Sequence, residues 1–117
     1  MSVRIFHNPR CSKSRATLAL LEARGVDVRV VHYLDTPLDV AGLRALAEKL
    51  DKPVREWIRT GESAYAEAGL SAESHDDALL EAMAAHPILM ERPILVAGKR
   101  AAIGRPPENV LALLGDD

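Results

Sequence analysis

Strand-forming runs occur only near the two ends of this chain, and a long helical stretch separates them. Val3-Arg4-Ile5-Phe6 and Val28-Arg29-Val30-Val31 are short and β-branched or aromatic. Between them, Ser12 to Arg24 reads as a helix stopped by Gly25, with Ala16, Leu20 and Ala23 on one face. Two strands joined by a crossover helix pair in parallel. From about residue 39 to 86 the pattern is helical, with no strand. Val40, Leu43, Leu46, Ala47 and Leu50 repeat at helical spacing, and Pro53 opens a short helix through Val54, Trp57 and Ile58. Asp76-Asp77 is an acidic helix start ahead of Ala78, Leu79, Leu80 and Met83, running up to His86. Strand signal returns after Pro87. Ile94-Leu95-Val96 and Ala101-Ala102-Ile103 flank Ala97-Gly98-Lys99-Arg100, a hairpin with Gly in its turn. Pro106-Pro107 then opens a last helix through Val110, Leu111 and Leu114, ending at Gly115.

The order β-α-β, helical block, β-β-α predicts an α/β fold: a thioredoxin-like mixed sheet carrying a helical insertion at about 39–86. At 117 residues the chain is expected to form a single domain, 1–117. A formal net charge of −2 supplies no basic field for nucleic acid. No apolar run reaches the length of a membrane span, and the N-terminus lacks a signal-peptide apolar region. One cysteine excludes an internal disulfide, so a cytoplasmic location is expected, with no membrane partner.

That cysteine, Cys11, lies between the first strand and the first helix in His7-Asn8-Pro9-Arg10-Cys11-Ser12-Lys13-Ser14-Arg15. A thiol at a helix N-terminus meets unpaired backbone N–H groups and the positive end of the dipole, and both favour the thiolate. Arg10, Lys13 and Arg15 add positive charge close by. Four arginines stand in turns or at element ends: Arg15, Arg59, Arg92 and Arg105. Arg92-Pro93 precedes the hairpin and Arg105-Pro106 follows it, and the two ends of an antiparallel hairpin lie side by side. Both guanidiniums can therefore converge on one spot, a planar oxyanion clamp if that spot is the Cys11 helix start, whereas loop arginines otherwise simply face solvent. Pro93 is a candidate cis-proline. His7 is placed to tune the thiol or cap the strand end, and Asn8 and Ser14 are suited to hold the turn or donate to an anion.

Spacing excludes two familiar sites. A phosphatase-type anion loop needs Arg at position 17, where Thr17 stands, and a dithiol motif needs a second Cys at position 14, where Ser14 stands. A lone thiol cannot resolve its own adduct into an internal disulfide and must borrow an external thiol. His32, His75 and His86 have no companions at metal-ligand spacing, so no metal site is expected.

The stretch from His7 to Arg15 resembles the H-x-x-x-C-x-x-x-R signature of the glutaredoxin-linked, thioredoxin-like arsenate reductases of the ArsC type. Further matching segments are Val54-Arg55-Glu56-Trp57-Ile58-Arg59, His86-Pro87-Ile88-Leu89-Met90-Glu91-Arg92-Pro93-Ile94 and Gly104-Arg105-Pro106-Pro107-Glu108, spread over nearly the whole chain. The resemblance implies that Cys11 attacks arsenate while Arg59, Arg92 and Arg105 hold its oxygens, with His7, Asn8, Ser14, Arg15 and Pro93 in support. It implies glutathione as co-substrate, glutaredoxin as the partner that reduces the mixed disulfide, and no bound cofactor. Two other readings stay open: a glutathione-dependent thiol transferase, needing Cys11 but not Arg92 or Arg105, and a Spx-type transcriptional regulator, which usually carries the second cysteine that Ser14 replaces.

Overall fold

The computed structural model describes residues 3–114. Two compact units make up the chain, one from residues 1–36 with 92–117 and one from residues 37–91.

The first unit is built on a four-stranded sheet of order β2-β1-β3-β4, comprising β1 (Val3–Phe6), β2 (Val28–Val31), β3 (Ile94–Ala97) and β4 (Arg100–Ile103). The first helix, α1 (Ser12–Ala23), carries the chain from β1 to its parallel neighbour β2, with Val3 opposite Val28. On its other side β1 pairs antiparallel with β3, Phe6 opposite Ile94 and Val3 opposite Ala97. All four residues of the central strand β3 are buried, which is why it reads as an unbroken apolar run. The β3–β4 hairpin is tighter than expected. Ala97 and Arg100 are strand partners, leaving a two-residue turn of Gly98 and Lys99, and Gly98 takes φ of 63°.

Val3, Ile5, Leu21, Leu95, Ala97, Val110 and Leu113 form the core of this unit, with Leu18, Val26, Val28, Ala102 and Leu114 packed against it. The buried face of α1 differs from the expected one. Ser14, Thr17 and Leu21 are buried, whereas Ala16 and Ala23 are exposed and Leu20 is half-buried. The apolar stripe was misleading because two small hydroxyl residues find hydrogen bonds inside (Ser14 to Asn8 N–H, Thr17 to a helix carbonyl) and so tolerate burial. The C-terminal helix is a 3-10 turn, Pro107–Val110, followed by α5 (Leu111–Leu114); its expected stop at Gly115 lies outside the described residues.

The second unit contains α2 (Val40–Leu50), α3 (Ser63–Glu67) and α4 (Asp76–Ala85), with 3-10 turns at Val54–Glu56 and Pro87–Leu89. Asp39 caps α2 by accepting the Gly42 N–H at 2.8 Å, and Asp51 ends it in the left-handed conformation with φ of 55°. Arg55 donates to the Ser74 carbonyl and holds the loop ahead of α4. The expected helix from Pro53 through Ile58 is only the short turn Val54–Glu56. Past Trp57 the chain extends, and Ile58 makes an isolated antiparallel bridge to Met90. The stretch from 39 to 86 is therefore not helical throughout. The bridge partner lies thirty-two residues downstream, beyond the reach of any local pattern. No helix among the described residues is long and apolar enough to cross a membrane.

Leu21 is fully buried at the centre of the first unit's core. Leu21→Ala is expected to cost about 2–5 kcal/mol, the range for truncating a buried leucine, measured as the shift in a urea unfolding midpoint at unchanged slope.

Candidate active site

Residues 7–15 form a tight turn feeding α1. His7 extends the β1–β2 ladder by donating its N–H to the Val31 carbonyl at 2.9 Å. The Asn8 carbonyl accepts the Cys11 N–H at 3.0 Å, and Asn8 Oδ1 accepts the Arg10 N–H at 3.0 Å. Ser14 Oγ accepts the Asn8 N–H at 3.0 Å and lies 2.7 Å from His7 Nδ1. Arg15 donates from Nη1 to the Pro9 carbonyl at 2.8 Å, closing the turn from outside. His7, Asn8 and Ser14 are buried, so this network is a rigid floor. Burial holds the His7 imidazole below its usual titration range, helped by its edge-on ring neighbour His32 and by Arg15, and opposed by Glu22. His7 is thus a neutral hydrogen-bonding group at neutral pH.

Cys11 is the N-cap of α1, with extended backbone angles and a half-buried side chain. The neutral thiol makes no capping hydrogen bond. Burial, the largest influence, pushes its pKa up, but the Ser14 N–H, the Arg92 guanidinium and the Lys13 N–H together outweigh it, and the thiol titrates below a free cysteine.

The hairpin delivers the two arginines. Ile94 and Ile103 are strand partners, so the residues just outside them, Arg92-Pro93 and Gly104-Arg105, stand next to each other. The Gly104 N–H donates to the Pro93 carbonyl at 2.9 Å, and Arg105 Nε donates to the Arg92 carbonyl at 2.8 Å. Arg105 Nη2 then points to Cys11 Sγ at 3.6 Å. Both Arg-Pro bonds, Arg92-Pro93 and Arg105-Pro106, are cis; only the first was singled out from the sequence. At the Cys11 sulfur the first unit thus places the Ser14 and Lys13 N–H groups and the Arg92 and Arg105 side chains, while His7, Asn8 and Arg15 hold the turn that carries it and Pro93 is tied to Gly104.

Two residues of this arrangement carried no sequence signal of their own. Thr17, whose Oγ1 donates to the Lys13 carbonyl at 2.8 Å, packs against Gly104. A Cβ on Gly104 would lie 2.6 Å from Thr17 Oγ1 and 2.8 Å from Pro93 Cγ. Only glycine lets the strand end come this close to α1.

Arg59 belongs to the second unit. Its N–H donates to the Leu89 carbonyl at 2.7 Å, beside the Ile58–Met90 bridge. Arg59 Nε pairs with Glu62 at 3.2 Å and Nη1 with Glu91 at 2.6 Å. Burial alone would lower its pKa, but the two carboxylates reverse that and raise it. Ile58, Arg59, Thr60, Gly61, Glu62 and Glu91 line an open cavity of about 420 Å³. Local sequence does not reveal the Glu91 pairing, which depends on the bridge, whereas Glu62 is a neighbour three residues on. Among the described residues no three His, Cys, Asp or Glu side chains gather into a metal-binding cluster.

The mixed sheet of order β2-β1-β3-β4, with one cysteine at the start of the crossover helix and an Arg-Pro step at each end of the hairpin, defines a thioredoxin-like, single-thiol protein. The chain belongs to the ArsC family, whose model matches residues 6–113. It is 52% identical over 114 residues to the arsenate reductase of Neisseria meningitidis serogroup A, covering 96% of this chain and 97% of that one. Identity is also 52%, over 115 residues, with the uncharacterised protein YfgD of Escherichia coli K12, covering 97% of each. Among solved structures, the arsenate reductase from Vibrio cholerae superposes with a TM-score of 0.92 at 50% identity, over 97% of this chain and 98% of that chain.

The alkylation rate of Cys11 is expected to rise with pH through an inflection below the free-thiol value of about 8.5, and Arg92→Ala is expected to move that inflection upward. Because the native pKa lies below the unfolded one, the thiolate stabilises the fold fully above about 8.5, and this contribution disappears as pH falls through the native value. The stability difference between the wild type and Cys11→Ser should follow the same window in urea titrations. Gly104→Ala is expected to lower stability by about 1–3 kcal/mol through overpacking, read in the same titrations.

Proposed function

We propose that this protein is an arsenate reductase that uses glutathione and glutaredoxin to complete its cycle. The observation carrying this reading is Cys11 Sγ at the start of α1, with Arg105 Nη2 at 3.6 Å and the Arg92 guanidinium favouring its thiolate. Arsenate is a tetrahedral oxyanion, and a polarisable thiolate flanked by guanidiniums binds its charge while attacking its centre. The names of the relatives above support the choice of arsenate among oxyanions.

In the proposed sequence the Cys11 thiolate attacks arsenic, an S–As bond forms, and one arsenate oxygen leaves as water after taking up protons. A glutathione thiolate then attacks Cys11 Sγ. The S–As electron pair passes to arsenic, which falls from the pentavalent to the trivalent state and leaves as arsenite. The resulting Cys11–glutathione disulfide is opened by glutaredoxin with a second glutathione, restoring the thiol and releasing oxidised glutathione. Two glutathiones supply the two electrons, so no bound cofactor takes part. The lone cysteine supports an external thiol, since it has no internal partner to resolve the adduct. Glutathione and glutaredoxin in turn support a cytoplasmic site of action.

Arg92 and Arg105 are assigned to the developing negative charge on the arsenate oxygens, and Arg59 to a further oxygen. The resemblance of the Val54–Arg59 segment supports the last assignment. The Ser14–His7–Asn8 network holds the turn, and its Ser14 N–H steadies the thiolate.

The test is NADPH consumption coupled through glutathione reductase, with arsenate, glutathione and glutaredoxin supplied. Wild type is expected to turn over and Cys11→Ser not to, because a serine hydroxyl is a far weaker nucleophile at neutral pH. Arg92→Ala and Arg105→Ala are each expected to lower kcat/KM for arsenate by about a hundredfold, the scale of losing one oxyanion donor. Full activity in both arginine variants would refute the clamp. Turnover on protein or small-molecule disulfides with none on arsenate would assign a thiol transferase instead.

A further inference from the structure

Arg59 is gripped on two of its three nitrogens. The Ile58–Met90 bridge runs antiparallel, so Trp57 and Arg59 share one side of the short ribbon with Leu89 and Glu91. Backbone bonds pin the pair in place: the Arg59 N–H to the Leu89 carbonyl at 2.7 Å and the Glu91 N–H to the Trp57 carbonyl at 2.9 Å. Glu91 reaches Arg59 Nη1 diagonally across this ribbon at 2.6 Å. Glu62, brought back by the Thr60-Gly61 turn, takes Nε at 3.2 Å. The Arg59 side chain is only 26% exposed, so these are not the loosely held pairs of an open surface. Among the described residues Nη2 makes no hydrogen bond, while Arg59 lines an open cavity of about 420 Å³.

We propose that Glu91, assisted by Glu62, is a positioning residue that fixes the rotation of the Arg59 guanidinium so that its Nη2 amino group is the donor presented to the oxyanion. A free arginine side chain loses rotamer entropy when it is ordered, and the carboxylates remove that cost before substrate arrives. This inference rests on the proposed role of Arg59 at the substrate.

The test is a double-mutant cycle on arsenate kinetics with Glu91→Ala, Arg59→Ala and the pair. Glu91→Ala is expected to raise KM for arsenate about tenfold with kcat changed less than threefold and the Cys11 alkylation profile unmoved. Glu91→Gln keeps an oxygen for Nη1 and is expected to return KM to the wild-type value or below. In the Arg59→Ala background, Glu91→Ala should add nothing. A wild-type KM in Glu91→Ala, or a loss that persists undiminished without Arg59, would overturn the inference. Should Glu91→Ala fail to fold, the same cycle with Glu62→Ala decides it, a smaller KM increase that vanishes without Arg59 being expected. An unimpaired Arg59→Ala would remove Arg59 from the proposed site and this inference with it, while Cys11, Arg92 and Arg105 stand or fall by their own variants.

Discussion

The antiparallel register of β1 with β3, Phe6 against Ile94, is the constraint on which the cysteine site depends. It sets the loop after β1, which carries His7 to Cys11, beside the segment before β3, which carries Arg92 and Pro93. The β3–β4 register, Ile94 against Ile103, then adds Gly104 and Arg105 to the same end of the sheet. A slip of one residue in either pairing would turn every side chain of a strand to the opposite face. The wholly apolar β3 and the tight Gly98-Lys99 turn oppose such a slip, one through burial and the other through geometry.

Given that register, the electrostatics of Cys11 are a contest between burial and positive charge. Burial disfavours the thiolate, and three donors of different kinds reverse the balance: backbone N–H groups of Ser14 and Lys13, and the Arg92 side chain. The backbone donors come with the helix start and do not depend on any side chain beyond the turn. The guanidiniums come from residues more than eighty positions away. Arg105 contacts the sulfur and also ties down the Arg92 carbonyl, so its charge and its scaffolding serve the same end of the sheet. Gly104 and Thr17 act by size: the missing side chain and the short hydroxyl let strand end and helix meet.

Much of this was legible in order and spacing. The strands at both ends and the helix between the first two follow from local patterns of β-branched runs and helical repeats. So do the cysteine at a helix start and the pairing of two Arg-Pro steps across a hairpin. The errors share one cause. The buried face of α1 was assigned to Ala16, Leu20 and Ala23 because hydropathy cannot foresee that Ser14 and Thr17 find partners inside. The helix expected through Ile58 failed because Ile58 pairs with Met90, a contact made across thirty-two residues. The Glu91–Arg59 pair has the same origin, since an acidic residue thirty-two positions along the chain gives no sign of which cation it will meet.

By itself the sequence determined the four strands and the main helices in their order, the lone thiol at a helix N-terminus and the family to which the chain belongs, because these depend on neighbours a few residues apart. Tertiary structure alone decided which helix face is buried, that Arg105 reaches the sulfur while holding the Arg92 carbonyl, and that Arg59 is held by two carboxylates. Those outcomes rest on hydrogen bonds and close contacts between distant segments, whose energies fall away within an ångström or two and are written only in the folded geometry.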